Sequence, residues 1–362
     1  FDVLINKKFL KIYKNKKIIV TGSTGFKGSW LCFWLSLLKC KVVGIGLKPE
    51  RNSILFDQLK LNKKIKQYYL DIVDYKKLNK IVKKEKPDII FHMAAQSIVS
   101  LSFKKPEETV KTNILGSFNI LQTVKENKIK NLIYITSDKC YLNKDDKKVY
   151  KENDVLGGFD LYSASKASAE IIFNAYISSF FQDKKNIHFA SVRAGNVIGG
   201  GDMKKNRILP DIFKSIVSGS KLIIRNPKAI RPWQHVLEPL YGYLLLGNLL
   251  IRKKLKKNIT PNWNFGPNTK NIKSVKNLID KTIEYWGLNK NIYYAKKNNF
   301  YEANYLLLNS NKAKKEIKWK QKLSFNETIY LTVEWYKSFQ NKIDMEYITK
   351  KQILFFMNKK NL

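Results

Sequence analysis

At 362 residues the chain exceeds one compact domain, and an apolar fraction of 44% spread along its whole length lets two packed lobes bury cores. Its 68 basic against 29 acidic residues leave a net charge of +39, mostly lysines scattered over surface stretches such as residues 253–257. No arginine-rich arm, zinc module or RNA-binding aromatic motif accompanies that charge, so no nucleic-acid partner is expected. Cys32, Cys40 and Cys140 have no metal-ligand spacing, which predicts no metal and fits a reducing cytoplasm. There is no signal-peptide order, and the longest apolar run, near residues 240–251, is too short to span a bilayer. A cytoplasmic protein without a membrane partner is expected.

In chain order, residues 17–20 are a short β-rich run ending in Thr-Gly, and residues 30–38 are apolar nearly all round, a buried helix. Strands follow at 41–47 and 68–72. The runs at 87–94 (PDIIFHMA), 131–137 (NLIYITS) and 188–193 (HFASVR) are almost continuously apolar, as parallel strands covered on both faces are. Helical stretches at 107–126 and 162–181 separate them. This alternation predicts an α/β fold with a doubly wound parallel sheet. Beyond the glycines at 199–201 the rhythm changes to short strands (222–225, 263–266, 305–308) mixed with helices (208–218, 236–252, 274–286). A division at about residue 200 follows, with a smaller mixed α/β lobe over 201–362 beside the carboxyl edge of the sheet, where such folds bind ligands.

The turn Thr21-Gly22-Ser23-Thr24-Gly25-Phe26-Lys27-Gly28 lies between the first strand and first helix. Glycines three apart permit close backbone approach to a pyrophosphate, and the following helix N-terminus offers free N–H groups. A ribose-binding carboxylate is expected roughly 20 residues on. The second strand instead ends Gly46-Leu47-Lys48, and Lys48 and Arg51 could face a 2′-phosphate, so the residues leave NAD and NADP open. Asp71 and Ile72 stand at the end of the third strand (YYLDI), with Asp71 placed for an adenine amino group. His92-Met93-Ala94-Ala95-Gln96 closes the fourth, where the small residues let a cofactor lie close.

Tyr162 and Lys166 are four apart on a helix and share a face. A phenol has a pKa of about 10, too high for a base at neutral pH. A neighbouring ammonium and an oxidised nicotinamide favour the phenolate, which then takes a hydroxyl proton as hydride leaves.

Together TGSTGFKGSW, HMAAQ, YSASK and RAGNVIGGGD resemble the extended short-chain dehydrogenase/reductases that act on nucleotide sugars. GFKGSW, ITSDKCY, SVRAGNVIGGGD, IRPWQHVLEPL and WNFGP resemble the CDP-glucose 4,6-dehydratase branch from end to end. The resemblance implies a Rossmann-type lobe over residues 1–200 carrying the catalytic residues, with some chain exchange between lobes. It implies a tightly held NAD that is regenerated each turnover, CDP-glucose as substrate, a homo-oligomer and a place in O-antigen synthesis. Oxidation at C4 makes the C5 proton acidic; elimination of the C6 hydroxyl follows, and hydride returns to C6. By family placement Ser137 hydrogen-bonds at C4, Asp138 is the acid for the departing hydroxyl and Lys139 is the C5 base, where dTDP-sugar dehydratases carry a Glu. Arg207, Arg231 and Arg225 are the diphosphate candidates and Asn196 a phosphate or sugar ligand. Arg193 and His235 fit a structural role equally well. Relatives tend to carry a His before Glu302; Tyr301 stands there instead, so a nucleotide contact by Glu302 stays open.

Overall fold

The computed structural model describes residues 9–49, 54–145, 147–181, 188–224, 226–255, 261–268, 272–288, 292–294 and 305–360. Seven strands form one sheet: β1 (Lys17–Thr21), β2 (Lys41–Gly46), β3 (Lys66–Tyr69), β4 (Ile89–His92), β5 (Asn131–Ile135), β6 (His188–Ala194) and β7 (Asn262–Phe265). Their spatial order is β7-β6-β5-β4-β1-β2-β3, with every pair parallel. The order reverses between β1 and β4, which opens a crevice at their carboxyl ends.

Successive strand residues point to opposite faces and feed two separate cores. Ile18 and Val20 of β1 join Phe91, Ile133 and Val192 on one face; Ile19 joins Ile90, Leu132 and Phe189 on the other. The first face is covered by α1 (Phe26–Leu37), and the second by α2 (Tyr75–Glu85), α3 (Ser117–Glu126) and α4 (Leu161–Phe180). A π-helical stretch, Lys111–Gly116, leads into α3.

The smaller lobe contains α5 (Ile208–Ser218), α6 (Leu237–Ile251), α7 (Val275–Trp286), α8 (Phe325–Gln340) and α9 (Met345–Asn358), with two-stranded pairs between them. Among the described residues, elements from beyond residue 200 pack into the first lobe. The apolar run near residue 240 is α6, which packs on β5 and β6 and covers the first face beside α1. The strand expected at 263–266 belongs to the main sheet, with Trp263 paired to Val192, because Trp263 and Phe265 are wholly buried and need a covered position. The third strand also ends earlier than expected. Its ladder closes with Leu70 N–H on Gly46, and Asp71 then turns the chain by accepting from Val73 N–H at 3.0 Å.

No helix among the described residues is long and apolar enough to cross a membrane.

Candidate active site

The glycine turn is held by close approach. Gly22 has φ +70°, and a Cβ there would lie 2.8 Å from Ala94 N. A Cβ on Gly28 would fall 2.0 Å from Gly22 O, so α1 can start this near the turn only with glycine. Gly25 caps α1 without a side-chain hydrogen bond, leaving the first-turn N–H groups of Phe26, Lys27 and Gly28 to an outside acceptor. Thr24 donates its hydroxyl to Leu47 O at 2.9 Å, tying the turn to the end of β2. Leu47 and Lys48 are exposed there, and Asp71 is exposed at the end of the neighbouring strand, with Ile72 buried behind it.

The loop after β4 is tied in from beneath. Thr21 Oγ1 accepts from Met93 and Ala94 N–H at 3.1 Å each and bonds His92 Nδ1 at 2.8 Å, while His92 Nε2 meets Ser117 at 3.2 Å. Burial, helped by the Lys166 charge, lowers the His92 pKa to about 3, so its role is structural. Ala94 and Ala95 form a small-residue floor at the crevice. The Gln96 side chain donates to Thr109 at 2.9 Å and accepts from Ile98 N–H at 2.5 Å, which turns its amide into the protein.

β5 delivers the acid group. After Thr136 the chain enters a short 3-10 turn, Asp138–Cys140, capped by Ser137, whose hydroxyl accepts from Lys139 N–H at 3.3 Å and donates to Asp138 Oδ1 at 2.9 Å. Asp138 Oδ2 is buried without a hydrogen-bond partner. Burial raises the Asp138 pKa, against the charges of Lys139 and Arg231 and the Ser137 hydrogen bond. Burial thus disfavours the charged form of this carboxyl.

Tyr162 and Lys166 open α4, capped by Asp160, which accepts from Ser163 N–H at 2.9 Å. Lys166 Nζ lies 5.9 Å from the centre of the Tyr162 ring. Burial raises the phenol to about 12, with the Ser137 hydrogen bond opposing that rise. Burial, then the Lys27 charge, lowers Lys166 to about 7. Lys166 is only 5% exposed and donates no hydrogen bond to a described residue. The open first turn of α1, the glycine cradle and the Tyr162–Lys166 pair beside them together fit a dinucleotide.

Among the expected substrate residues, Arg207 donates to Asp202 at 2.6 Å and to Ser97 Oγ at 2.7 Å, joining the loops after β4 and β6 across the crevice. Arg231 is 3% exposed, donates to Ile230 O at 3.0 Å and acts electrostatically on Asp138. Asn196 sits at φ +41° beside the Asp138 turn, with its carbonyl accepting from Gln234 N–H at 3.3 Å. Arg225, Arg51, Tyr301 and Glu302 lie outside the described residues. Arg193 and His235 both resolve as structural. Arg193 pairs with Glu170, and the His235 ring meets Trp30 edge-on at 5.9 Å, its pKa lowered to about 3 by burial.

The sequence profile of the GDP-mannose 4,6 dehydratase family matches residues 19–332. The chain belongs to this family.

Among its dehydratase relatives, the CDP-glucose 4,6-dehydratase of Salmonella typhimurium is 41% identical over 98% of this chain and 99% of its own. The dTDP-D-glucose 4,6-dehydratase of Dictyostelium discoideum is 29% identical over 58% and 50%. Solved structures share the fold. The dTDP-glucose 4,6-dehydratase of Bacillus anthracis in complex with NAD superposes with TM-score 0.73 at 22% identity, over 91% of this chain and 99% of that one. The UDP-glucose 4-epimerase of Thermotoga maritima with UDP-glucose gives 0.76 at 21% identity, over 90% and 99%.

Three residues of the site were not legible beforehand. A Cβ on Gly195 would stand 1.7 Å from Asp138 Oδ2, so this glycine makes the room the acid occupies. Asp202 and Ser97 aim Arg207. Only the GGGD string pointed toward Asp202; nothing in the local sequence marks Ser97 or Gly195 as partners of residues so far away.

Proposed function

We propose that the chain converts CDP-glucose to CDP-4-dehydro-6-deoxyglucose and water, with NAD held over the Gly22–Gly28 turn. The observation that carries this reading is the Asp138 carboxyl, buried, aimed past Gly195 with one free oxygen and set beside both Ser137 and Tyr162. A dehydratase needs an acid there; an epimerase, which shares the turn, Tyr162 and Lys166, has no use for one. The near end-to-end likeness to the Salmonella enzyme supports CDP-glucose over other nucleotide sugars.

When bound, NAD accepts the C4 hydrogen as hydride and returns it to C6. Tyr162, as phenolate, takes the C4 hydroxyl proton. Its pKa in the free protein is too high for that, so the positive charge of a bound oxidised cofactor, together with the neighbouring Lys166, would have to lower it. Ser137 donates to the C4 oxygen as the carbonyl forms, and Lys139 removes the acidified C5 proton while Asp138 protonates the departing C6 hydroxyl. Lys139 returns the proton to C5 as hydride reaches C6; the proton taken from the C4 hydroxyl balances the one Asp138 gives to water. Phe26, Lys27 and Gly28 N–H groups would receive the cofactor's pyrophosphate, Asp71 with Ile72 would hold its adenine side, and Ala94 and Ala95 would let it lie close to the end of β4. Arg207, Arg231 and Asn196 take the sugar diphosphate, placing the substrate side mainly in residues 201–362, in a cytoplasmic enzyme.

A homo-oligomer is part of the same proposal. Val110, Leu115, Phe118, Ile171 and Phe180 are exposed apolar residues on α4 and on the helical run ending in α3, which pack side by side and leave a face for a second copy. Sedimentation should show a dimer or larger; a monomer at micromolar concentration removes this part.

The function is tested by mass spectrometry after incubation with CDP-, dTDP-, UDP- and GDP-sugars separately. Loss of one water from CDP-glucose without added reductant is expected. A C4 epimer with no mass change means the epimerase reading.

A further inference from the structure

The Glu170–Arg193 pair lies under the site and is used by none of the steps above. Glu170 stands one helical turn beyond Lys166 on α4, fully buried, and its carboxylate holds Arg193 Nη2 at 2.7 Å. It also accepts from Thr136 Oγ1, from Ser191 Oγ at 2.9 Å and from Asn262 Nδ2 at 3.2 Å. Arg193 in turn donates to Tyr141 Oη at 2.7 Å and to Glu152 O at 2.9 Å, and the Tyr141 hydroxyl donates to Asn264 Oδ1 at 2.8 Å.

The placement of these partners is informative. Thr136 immediately precedes Ser137, and Tyr141 closes the turn that holds Asp138 and Lys139. The catalytic run is therefore pinned on both flanks to a single ion pair. That pair also grips the helix carrying Tyr162 and Lys166, and it reaches β6 two residues before Gly195, against which Asp138 lies. α4, the segment that follows β5, β6 and β7 all meet at these two charged groups.

Buried ion pairs contribute little to net stability, because desolvating the charges offsets most of their attraction. In some folds such a pair instead fixes registry through directed hydrogen bonds, and here Glu170 accepts from four groups while Arg193 donates to three. We propose that Glu170 and Arg193 are positioning residues that set Ser137 and Asp138 against Tyr162 and Lys166. The role rests on the dehydratase reading for the identity of the steps it aligns.

The test uses two variants that leave every catalytic side chain in place. Thr136→Val with Tyr141→Phe cuts both flanking ties and keeps the ion pair. Glu170→Gln with Arg193→Met removes both charges, so no lone buried charge is left to unfold the protein. For each, kcat on CDP-glucose should fall by about 10- to 100-fold, the cost expected when reacting groups shift by around 1 Å. KM should stay within about twofold. The fraction of cofactor found reduced at steady state, read by its near-ultraviolet absorbance, should rise, because misplaced Ser137 and Asp138 slow the elimination that follows oxidation. A purely structural role would lower the melting temperature and the amount of active enzyme without moving that fraction.

Normal kcat and an unchanged reduced fraction in either folded variant overturn the proposal. Wild type run in parallel separates this from failure of the dehydratase reading. If wild type releases no water but epimerises a sugar, that reading falls, and the variants' epimerisation rate decides positioning by the same roughly tenfold criterion.

Discussion

Replacing Gly195 by alanine tests the placement of the acid directly. The Gly195 backbone is outside the positive-φ region, so a methyl group strains nothing locally, and its whole effect comes through Asp138. The new Cβ would lie 1.7 Å from Oδ2 and 2.2 Å from Cγ, where ordinary contact begins at 3.4 Å. The carboxyl has to retreat by more than an ångström, yet Ser137 and the surrounding packing hold it, with Asp138 only 3% exposed. Overpacking of this size costs about 1–3 kcal/mol. In a chain of this length that lowers the melting temperature by only about 1–4 °C. The catalytic cost is larger: a donor displaced by about 1 Å loses on the order of 100-fold in kcat, with KM nearly unchanged. Steady-state kinetics on CDP-glucose and a thermal melt measure both quantities on one preparation. Adding Asp138→Ala to Gly195→Ala removes the clash, so the melting temperature should recover while activity stays lost. A Gly195→Ala enzyme with kcat within about twofold of wild type would refute the placement of Asp138 as the acid.

Tyr162→Phe should abolish cofactor reduction by CDP-glucose altogether; reduction at the wild-type rate removes Tyr162 from the first step. Lys139→Ala should still reduce the cofactor but form little keto-sugar, and full product from that variant excludes Lys139 as the C5 base. Arg207→Ala should raise KM by roughly 10- to 100-fold, as expected on loss of a charge-assisted contact to a diphosphate, and an unchanged KM places that group elsewhere. Glu238 gives a pH prediction. Burial raises its carboxyl to about 7, against the N–H groups of Lys322 and Leu323. The folded state thus holds a proton the unfolded chain releases nearer pH 4.5, and this group's contribution to stability declines as pH rises through that window. Glu238→Gln should gain melting temperature relative to wild type between about pH 5 and 8; parallel profiles would show that Glu238 does not titrate there.

How much was legible in the chain itself depends on how local the governing interaction is. The strand-helix alternation, the glycine turn and the four-residue spacing of Tyr162 and Lys166 are set by backbone geometry and side-chain period, which neighbours in sequence determine. For that reason β1 to β6, α1 and α4 stand close to where the residues predicted them. Strand ends were less legible, since Asp71 leaves β3 through a turn made by its own side chain. What the tertiary structure alone decided involves groups far apart in sequence. β7 and α6 come from the second half of the chain yet complete the first lobe's sheet and cover, because Trp263 and Phe265 need the burial that β6, α6 and the segment around residues 312–319 provide. Asp138 owes its pocket to Gly195, Arg207 its aim to Ser97 and Asp202, and Arg193 its structural role to Glu170. Each of these depends on a distance in space that no spacing along the chain encodes.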